Sequence, residues 1–417
     1  MSLSASHAAS PETVRTTLPF TLENLTGPRP ALSPSDQLKA TLSGQTVLVT
    51  GAAGSIGSAL STDLAALTPE RLVLVDIDEH GLYQLRRWFS ERPGSERPLS
   101  EQYDTAERDA QKHGAQQRDA GHYPSIECRL ADVSDLASVE RLFRQVRPDL
   151  VIHAAACKHV PITERHPCRA FRVNTLSAVY LAQACQRHDT RQLIVVSTDK
   201  AARPQNVLGA TKRLAEWHVL SATLPGASKA IRFGNVFGSR GSVLPLFEEQ
   251  LARGQPLTVT HPEMERYFMS MREACVLSLE TLRLTSHLTY VFRMGPPVSI
   301  RRLAERLICH RLGPEALATG DGRIRYTGVR PGEAIREHLC GHGESLAPTA
   351  HPHISGVEAT GRPRTGDIAC WIRRLREAFR DPQIRPDAAR ALLFDAVAAL
   401  TSRTRAPAEA PTSPSCP

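Results

Sequence analysis

The stretch TVLVTGAAGSIGSAL, residues 46–60, carries the strongest structural signal in the chain. Its first five residues are β-branched or apolar and predict a short buried strand, and the following SALSTDLAAL predicts a helix. Gly51, Gly54 and Gly57 stand between them in a G-x-x-G-x-x-G spacing. Glycines at such a junction let a diphosphate approach the backbone, and the helix N-terminus favours its negative charge. This order of strand, glycine turn and helix predicts a dinucleotide-binding unit.

Further apolar runs extend this unit into a sheet. RLVLVDI, LVIHAA and RQLIVVST predict buried strands that alternate with helical stretches. Such alternation predicts an α/β fold, a Rossmann-type doubly wound parallel sheet. Asp76 ends the second strand, where a carboxylate can accept hydrogen bonds from the adenosine ribose. Because Ile77 rather than an arginine follows it, we expect NAD as the cofactor, with NADP disfavoured. Asp132, after the run IECRL, is placed to meet the adenine amino group.

Composition shifts divide the chain into four parts. Residues 1–40 are rich in Ser, Pro and Thr and predict an N-terminal extension. Residues 41–230 form the predicted NAD(P)-binding Rossmann domain, with a polar insertion at about 90–122. Residues 231–345 are predicted to be mainly substrate-binding, as a smaller C-terminal subdomain. Residues 346–417 predict a helical extension that ends in a disordered tail.

Bulk properties exclude several function classes. The 417 residues carry a net charge of +8, which suits an anionic ligand, but lysines and arginines do not alternate with aromatics as in a nucleic-acid-binding stripe. The nine cysteines include no C-x-x-C pair, so we expect reduced thiols, no metal site and a cytoplasmic location. No apolar run reaches about 18 residues, so neither a membrane span nor a signal peptide is predicted.

A cluster of polar residues follows the strand RQLIVV. Thr198, Asp199 and Lys200 lie where ligands bind in open α/β sheets, beyond the carboxyl end of a strand. Lys212 lies in the predicted helix NVLGATKRLAEWHVL, and Leu208, four residues earlier, shares its helix face. We therefore predict Thr198, Asp199, Lys200 and Lys212 as catalytic residues. A capping hydroxyl beside a surface ion pair is the alternative interpretation of the first three.

These features together resemble a known family. The glycine turn, the strand-end STDK and the helix with Lys212 resemble the extended short-chain dehydrogenases/reductases. More narrowly, the chain is similar to the polysaccharide-biosynthesis branch that contains UDP-N-acetylglucosamine 4,6-dehydratases, over about residues 20–340. The blocks that carry this resemblance are VLVTGAAGSIGSAL, HAAACKHVPITERHPCRAFRVN, VSTDKAARPQNVLGATKRLAE, IRFGNVFGSRGSVLPLFEEQLARGQPLTVTHPEMERYFMS and YTGVRPGEAIREHL.

The resemblance implies roles for the polar cluster. Asp199 would be the acid that assists loss of the sugar C6 hydroxyl, and Lys200 the base at C5. Thr198 would hydrogen-bond the C4 oxygen, and Lys212 would hold the nicotinamide ribose. Lys200 needs a lowered pKa for its role, which burial and the nearby Lys212 are expected to supply. Most of the superfamily has a proton-transferring tyrosine where this chain has Leu208.

Motif positions and the resemblance give the remaining site residues. His159 and His261 lie in family blocks, where structural hydrogen bonding is as reasonable an interpretation as catalysis. Glu333, in RPGE, is expected either to bind substrate or to orient Arg330. Arginine is chosen for diphosphates because its fork of donors matches phosphate oxygens. The expected cofactor-binding residues are Gly51, Gly54, Ser55, Ile56, Gly57, Asp76, Asp132, Val133, Ala154, Ala155 and Lys212. The expected substrate-binding residues are Lys158, Asn235, Arg240, Arg266, Arg330 and Glu333.

The sequence thus predicts a nucleotide-sugar 4,6-dehydratase that acts on UDP-N-acetylglucosamine, uses NAD and assembles as a homo-oligomer. Two alternatives stay open. A nucleotide-sugar epimerase on the same fold would need hydride transfer at C4 but no acid–base pair at C5 and C6. A non-catalytic NAD-binding protein is the second alternative, because Leu208 cannot transfer a proton.

Overall fold

The computed structural model describes residues 19–91, 124–318 and 322–403. Most of the insertion predicted at about 90–122 and the predicted disordered tail lie outside these ranges. Among the residues described, no helix combines the length and apolar character needed to cross a membrane. Within the same ranges, no group of three or more His, Cys, Asp and Glu side chains is arranged to hold a metal ion.

A nine-stranded sheet forms the centre of the molecule, in the order β14-β15-β11-β6-β5-β4-β1-β2-β3. Three two-stranded sheets, β7 with β10, β9 with β12 and β8 with β13, lie outside it. The strands are β1 (Thr46–Thr50), β2 (Arg71–Asp76), β3 (Ser125–Leu130), β4 (Leu150–His153), β5 (Gln192–Val196), β6 (Ala227–Arg232), β7 (Asn235–Val236), β8 (Leu257–Val259), β9 (Glu265–Arg266), β10 (Phe268–Met269), β11 (Thr289–Phe292), β12 (Val298–Ser299), β13 (Ile324–Tyr326), β14 (Glu344–Pro348) and β15 (Ile354–Ala359).

Helices cover both faces of the central sheet. The helices are α1 (Leu22–Thr26), α2 (Asp36–Leu42), α3 (Ser55–Ala66), α4 (Glu79–Glu91), α5 (Leu136–Val146), α6 (Val160–Arg165), α7 (Pro167–Phe171), α8 (Ser177–Arg187), α9 (Val207–Leu220), α10 (Val243–Ala252), α11 (Met271–Glu280), α12 (Ile300–Leu312), α13 (Glu315–Ala318), α14 (Thr365–Ala378) and α15 (Pro386–Arg403). A π-helical turn, Arg172–Leu176, joins α7 to α8, and short 3₁₀ turns span Asp199–Ala201 and Thr281–Arg283.

The strand order confirms the predicted Rossmann-type fold. β3, β2, β1, β4, β5, β6 and β11 all run parallel. The chain leaves β1 toward β2 and β3 and then returns to β4 on the other side of β1. This reversal opens a crevice beyond the carboxyl ends of β1 and β4, where ligands bind in doubly wound sheets. Successive residues of β1 enter different cores, since Val47 and Val49 pack on one face and Leu48 on the other, as a doubly covered parallel sheet requires.

The sheet continues past the boundary predicted at residue 230. β11 pairs parallel with β6, and β15 and β14 complete the sheet as antiparallel strands. The C-terminal part, predicted only as helical, therefore also supplies sheet strands. Its helices α14 and α15 pack against α9, where Ile372 and Leu393 share a core with Leu214.

The end of the predicted N-terminal extension is built into two cores. In α2, Leu38 and Leu42 are fully buried beside the central sheet. Leu22 and Leu25 of α1 pack with Leu307 of α12 in the core of the smaller C-terminal unit. Residues 20–42 thus belong to the folded body of the protein.

The cysteines depart in one place from the expected set of reduced thiols. Seven of them, Cys128, Cys157, Cys168, Cys185, Cys275, Cys309 and Cys340, are free. Cys370, in α14, is disulfide-bonded, so the prediction is wrong for this residue. Spacing rules do not detect such a pairing, because disulfides depend on proximity in space.

Candidate active site

The glycine turn after β1 is packed against the segment after β4. Gly51 has a φ of +73°, and a Cβ added there would lie 2.4 Å from the Ala155 backbone nitrogen. A Cβ on Gly57 would lie 1.9 Å from the Gly51 carbonyl oxygen. Both positions therefore exclude every side chain, and the turn stays open for a diphosphate at the N-terminus of α3. The structure thus brings Gly51, Gly54, Ser55, Ile56 and Gly57 together with Ala154 and Ala155 at the crevice.

Asp76 is bound to the same turn. Its Oδ2 accepts from the Ala53 amide at 2.9 Å, and its Oδ1 accepts from the Ile77 amide at 2.7 Å. The carboxylate therefore fixes the end of β2 against the glycine turn, beside the position predicted for the ribose. The Ile77 side chain next to it is exposed. Because this side chain is uncharged, it cannot bind the 2′-phosphate of NADP.

Asp132 lies at the third strand end, before the buried Val133. Its Oδ1 accepts from the Ser134 amide at 2.8 Å and the Ser134 hydroxyl at 2.6 Å, and Arg172 lies 3.6 Å from Oδ2. Partial burial raises the pKa of Asp132, but these hydrogen bonds and the arginine outweigh burial and lower it overall. The carboxylate stays ionised and is held as an acceptor at the adenine end of the crevice.

Asp199 is a buried carboxylate in the 3₁₀ turn that follows β5. One oxygen, Oδ1, accepts from the Thr198 hydroxyl, the Lys200 amide and the Lys200 ammonium, each at 2.9 Å. The other oxygen, Oδ2, is buried and has no hydrogen-bond partner in the part of the chain that the structure describes. A buried polar atom without a partner is costly, so Oδ2 marks a position at which a ligand hydroxyl would be stabilised.

Lys200 is held between two carboxylates. Its Nζ lies 2.9 Å from Asp199 Oδ1 and 3.4 Å from Glu337 Oε1. Burial lowers the pKa of Lys200, but Asp199 and Glu337 outweigh burial and raise it above its ordinary value. The prediction that Lys200 has a lowered pKa is therefore wrong, because its partners are negative. The free protein holds Lys200 as an ammonium ion.

Lys212 of α9 is hydrogen-bonded to the end of β5. Its Nζ donates to the Val196 carbonyl at 2.9 Å. Burial lowers the pKa of Lys212 to about 8, against a weaker upward effect of Glu216 and Cys157. Leu208, four residues earlier in α9, is buried and offers no polar atom. Lys212 thus lies at the end of β5 with donors free for a ribose.

Arg240 lies against the glycine turn. Its guanidinium donates to the Ala53 carbonyl, and its amide donates to Ser55 Oγ at 3.2 Å. Lys158 Nζ donates to the Arg240 carbonyl at 2.7 Å. Burial and Arg240 lower the pKa of Lys158. His159 packs against Gly241, where an added Cβ would lie 2.5 Å from its ring. Lys158 and Arg240, both cationic, therefore lie beside the position expected for the cofactor diphosphate.

The other predicted substrate residues divide into two groups. Arg266 lies 3.9 Å from Glu337, which places it beside Lys200, and Asn235 is two residues beyond Phe233, whose carbonyl accepts from the Asp199 amide. Arg330 is exposed. Glu333 contacts the backbone of Arg330, since the Glu333 carboxylate accepts from the Arg330 amide at 3.1 Å. The contact closes the turn of the RPGE segment, and the substrate-binding role of both residues stays a prediction.

His261 has a local structural role. Its Nδ1 accepts from the Glu263 amide at 3.2 Å, within the turn that precedes β9. This contact supports the structural interpretation of His261. The contact closes a turn and involves none of the predicted catalytic residues.

Two site residues were missed from the sequence. Glu337 pairs with Lys200 although 137 positions separate them in the chain. Glu164 holds the start of α9, since its carboxylate accepts from the Val207 amide at 2.7 Å and from Arg390 at 2.9 Å. Glu337 lies in the block YTGVRPGEAIREHL, and Glu164 in HAAACKHVPITERHPCRAFRVN. Membership of these blocks was the one signal that could have indicated them.

Comparisons with known proteins agree with this geometry. The sequence matches the family described as "Polysaccharide biosynthesis protein" over residues 47–100 and 99–359. It is 34% identical over 364 residues to the probable polysaccharide biosynthesis protein EpsC of Bacillus subtilis, across 87% of this chain and 55% of EpsC. It is 36% identical over 327 residues to the capsular polysaccharide biosynthesis protein CapD of Staphylococcus aureus, across 78% of this chain and 49% of CapD. The chain spans about half the length of these two relatives.

An epimerase is also among the relatives. The UDP-glucose 4-epimerase of Rickettsia canadensis is 30% identical over 300 residues, which cover 71% of this chain and 77% of the epimerase. Sequence similarity alone therefore does not separate a dehydratase from an epimerase for this chain.

Solved structures share the fold. Pen from Bacillus thuringiensis superposes with a TM-score of 0.61 and 25% identity, over 76% of this chain and 87% of Pen. The dTDP-glucose 4,6-dehydratase DesIV from Streptomyces venezuelae, with NAD and TYD bound, superposes with a TM-score of 0.55 and 18% identity, over 71% of this chain and 88% of DesIV. The latter likeness shows the fold alone. The family match, the relatives and the Rossmann-type site together show that this chain belongs to the polysaccharide-biosynthesis branch of the extended short-chain dehydrogenases/reductases.

Proposed function

We propose that the chain is an NAD-dependent nucleotide-sugar 4,6-dehydratase that converts UDP-N-acetylglucosamine to a 4-keto-6-deoxy sugar nucleotide for surface polysaccharide or glycan synthesis. One observation carries the proposal. Asp199 presents a buried Oδ2 that has no partner among the described residues, beside the ammonium of Lys200 and at the carboxyl end of β5. An acid adjacent to a potential base is the pair that loss of water across C5 and C6 requires.

The residues present fit a dinucleotide. Gly51 and Gly57 keep the turn clear of any Cβ, and Asp76 and Asp132 present carboxylates at the ends of β2 and β3. When bound, NAD would accept a hydride from sugar C4 and later return one to C6. Lys212, with a pKa of about 8, would hold the nicotinamide ribose. The choice of NAD over NADP depends on Asp76 and on Ile77, which follows it in place of an arginine.

For elimination, Asp199 must carry the proton that it shares with Lys200, because the acid has to protonate the C6 hydroxyl and the amine has to be neutral. The free protein has the opposite arrangement, with Lys200 as the ammonium and Asp199 as the carboxylate. Moving the proton along their 2.9 Å hydrogen bond gives a neutral amine for C5 and a protonated acid for the C6 hydroxyl. The pair keeps the same number of protons throughout. Glu337 opposes this transfer, because its charge stabilises the ammonium.

Thr198 and the remaining cations would position the sugar nucleotide. The Thr198 hydroxyl donates to Asp199 and can also accept from the C4 hydroxyl. We assign Asn235, Arg266 and Arg330 to the sugar and diphosphate, and keep Glu333 as a residue that shapes their loop. Lys158 and Arg240 lie beside the glycine turn, where they would serve either diphosphate.

A nucleotide-sugar epimerase is the second candidate, because of the relative from Rickettsia canadensis. The adjacent Asp199 and Lys200 argue against it, since an epimerase needs no acid–base pair at C5 and C6. Leu208, which cannot transfer the C4 hydroxyl proton, does not separate the two enzymes. The same residue motivates the third possibility, an NAD-binding protein without turnover. In the dehydratase proposal, Thr198, Asp199 and Lys200 take over proton handling, so the loss of a tyrosine is tolerated.

Mass spectrometry of UDP-N-acetylglucosamine incubated with the purified protein and NAD⁺ tests these candidates. Loss of one water, with a carbonyl that borohydride reduces, is the expected result. An unchanged mass with inverted sugar stereochemistry would favour the epimerase. An unchanged substrate, repeated with other nucleotide sugars while NAD binding is demonstrated, would contradict both enzyme proposals. A parallel titration with NADP⁺ should give weaker binding than NAD⁺.

Homo-oligomer formation and a cytoplasmic location stay predictions. Both derive from the family resemblance and the sequence rather than from a contact in the structure. Sedimentation velocity of the purified chain, and fractionation of the producing cells, would check them. A monomer at all concentrations would contradict the first, and recovery with a non-cytoplasmic fraction would contradict the second.

A further inference from the structure

A second cavity lies away from the catalytic residues, between α9, the sheet strands β6 and β15, and the C-terminal half of α15. We call it the basic cleft. Its volume is about 750 Å³, which is in the range of small-molecule sites. None of the residues that line it belongs to the proposed cofactor and substrate positions. Its charged lining includes Arg203, Arg213, Arg232, Arg362, Glu216 and Glu344.

The floor of the basic cleft is an electrically balanced network. Arg232 binds Glu216 at 2.9 and 2.7 Å and Glu344 at 2.6 and 3.1 Å. Arg213 lies 2.7 Å from Glu344 and 3.3 Å from Glu216. Burial raises the pKa of Glu344, but Arg232 and Arg213 outweigh burial and lower it to about 2. Two guanidinium groups therefore neutralise both carboxylates, which are the acidic groups of the lining.

The rim of the basic cleft adds positive charge that the floor cannot balance. Arg203 donates to the Cys340 carbonyl at 3.2 Å, and neither Arg203 nor Arg362 forms a salt bridge with a residue that the structure describes. Burial and Arg213 lower the pKa of Arg362, against a weaker upward effect of Glu344. His338 and His342 complete this side. The cleft therefore has two arginines more than it has carboxylates.

Apolar side chains also line the cleft. Its apolar wall is Leu220, Val357 and Val397, with Trp217, whose ring is covered by the Arg213 guanidinium at 4.7 Å. A ligand here would meet both guanidinium donors and apolar surface. This combination suits an anionic group attached to a compact organic part.

We propose that the basic cleft binds a small phosphorylated metabolite, with its phosphate or diphosphate between Arg203 and Arg362. Guanidinium groups match phosphate oxygens in geometry and charge, and a partly enclosed cleft strengthens the attraction. The apolar wall would receive a base or a sugar. The site would be adjacent to the catalytic segment, since Glu216 of its floor also accepts from Ser197 Oγ at 2.6 Å, one residue before Thr198.

The test is a calorimetric titration of the full chain with inorganic pyrophosphate. NAD⁺ is present in excess to fill the cofactor position of the proposed active site, and UDP is left out because it would also fit the cleft. Binding of pyrophosphate is expected, and R203A/R362A should weaken it at least tenfold. The control R373A/R380A removes the same charge from exposed arginines in α14 and just after it and should leave binding unchanged. The comparison of these variants assigns the site, because pyrophosphate bound at the active site would respond equally to both double variants.

Further probes identify the organic part. UMP binding tighter than pyrophosphate would indicate a nucleotide, and glucose 1-phosphate binding tighter would indicate a sugar phosphate. Equal weakening by both double variants, or the absence of binding up to millimolar pyrophosphate, would overturn the proposal. R203K/R362K guards against misfolding: it keeps the charge but loses the fork, so an affinity between those of the native protein and R203A/R362A is expected.

Discussion

Two clusters of buried charge lie near the carboxyl ends of the central strands, and they differ in how completely their charges are matched. In the floor of the basic cleft, Glu216 and Glu344 each bind two arginines. In the catalytic cluster, the Asp199 carboxylate makes its contacts with the described residues through one oxygen, and Oδ2 has no partner among them. Matched charges hold elements together, whereas an unmatched buried oxygen is stable only with a ligand's help. The contrast indicates which carboxylate serves structure and which serves chemistry.

The largest expected effect comes from Asp199→Asn. We expect kcat to fall by about 10²–10⁴-fold, because the amide cannot protonate the C6 hydroxyl. The free energy of unfolding should fall by less than in a variant that leaves a buried charge unpaired, since an amide oxygen here still accepts from Thr198 and Glu337 stays beside the Lys200 ammonium. Steady-state kinetics and urea denaturation check both parts. Full turnover in this variant would remove Asp199 from the proposed mechanism.

The matched replacement in the other cluster is Glu344→Gln, which should act in the opposite way. Loss of this carboxylate leaves buried arginines without a charge partner and should lower the free energy of unfolding by about 3–5 kcal/mol. The pKa of Glu344 is lowered to about 2 from an ordinary 4.5, so its contribution is complete above pH 4.5 and is lost as pH falls toward 2. Urea denaturation at pH 7 and pH 3 measures this. A catalytic defect without a stability defect would break the comparison.

Lys212→Met tests a buried charge whose hydrogen bond, among the residues described, goes to a carbonyl. The native protein should gain about 1–3 kcal/mol of stability between pH 8 and 10.5, because the unfolded chain binds more protons than the folded one in this range. This follows from the lowered pKa of Lys212, about 8 against 10.5. The variant should lack that gain, be at least as stable as the native protein at pH 7, because the buried charge is gone, and bind NAD more weakly. Unchanged NAD affinity would contradict the ribose assignment.

Glu337→Gln is expected to give the smallest change, a displaced pH profile. Removing this carboxylate lowers the pKa of Lys200, so the Asp199–Lys200 pair loses its shared proton at lower pH. The falling limb of kcat against pH, which marks that loss, should move down by about one pH unit. Glu333→Gln is the control, because that carboxylate accepts from the Arg330 amide and should leave the profile in place. A shift to higher pH would mean that Lys200 is not the base.

The sequence predicted the parts of the molecule that depend on local pattern. The glycine spacing of Gly51 and Gly57, the strand that precedes them and the acid at Asp76 all follow from residues close together in the chain. Thr198, Asp199 and Lys200 could be located because they follow an apolar strand directly. The fold class and the residues at the crevice could therefore be predicted from the sequence alone.

Long-range contacts could not be predicted in the same way. Glu337 contacts Lys200 although the two residues are 137 positions apart in the chain. Its negative charge helps to raise the pKa of Lys200, whereas a lowered pKa was expected. β14 has an exposed, non-alternating burial pattern, so no periodicity indicated that it completes the sheet. Contacts of this kind depend on how elements that are distant in the chain pack together. The residue pattern within one element does not show which distant element it will contact.

The packing of α9 has a consequence for synthesis on the ribosome. The N-terminus of α9 is held by Glu164, which in turn binds Arg390 of α15, and Leu214 shares a core with Leu393. At roughly 5–20 residues per second, the chain between Val207 and Arg390 takes about 10–40 s to emerge. During that interval the glycine turn can form, while the helix that carries Lys212 still lacks part of its support. The end of the crevice that holds Lys212 would therefore be completed only after α15 has been synthesised.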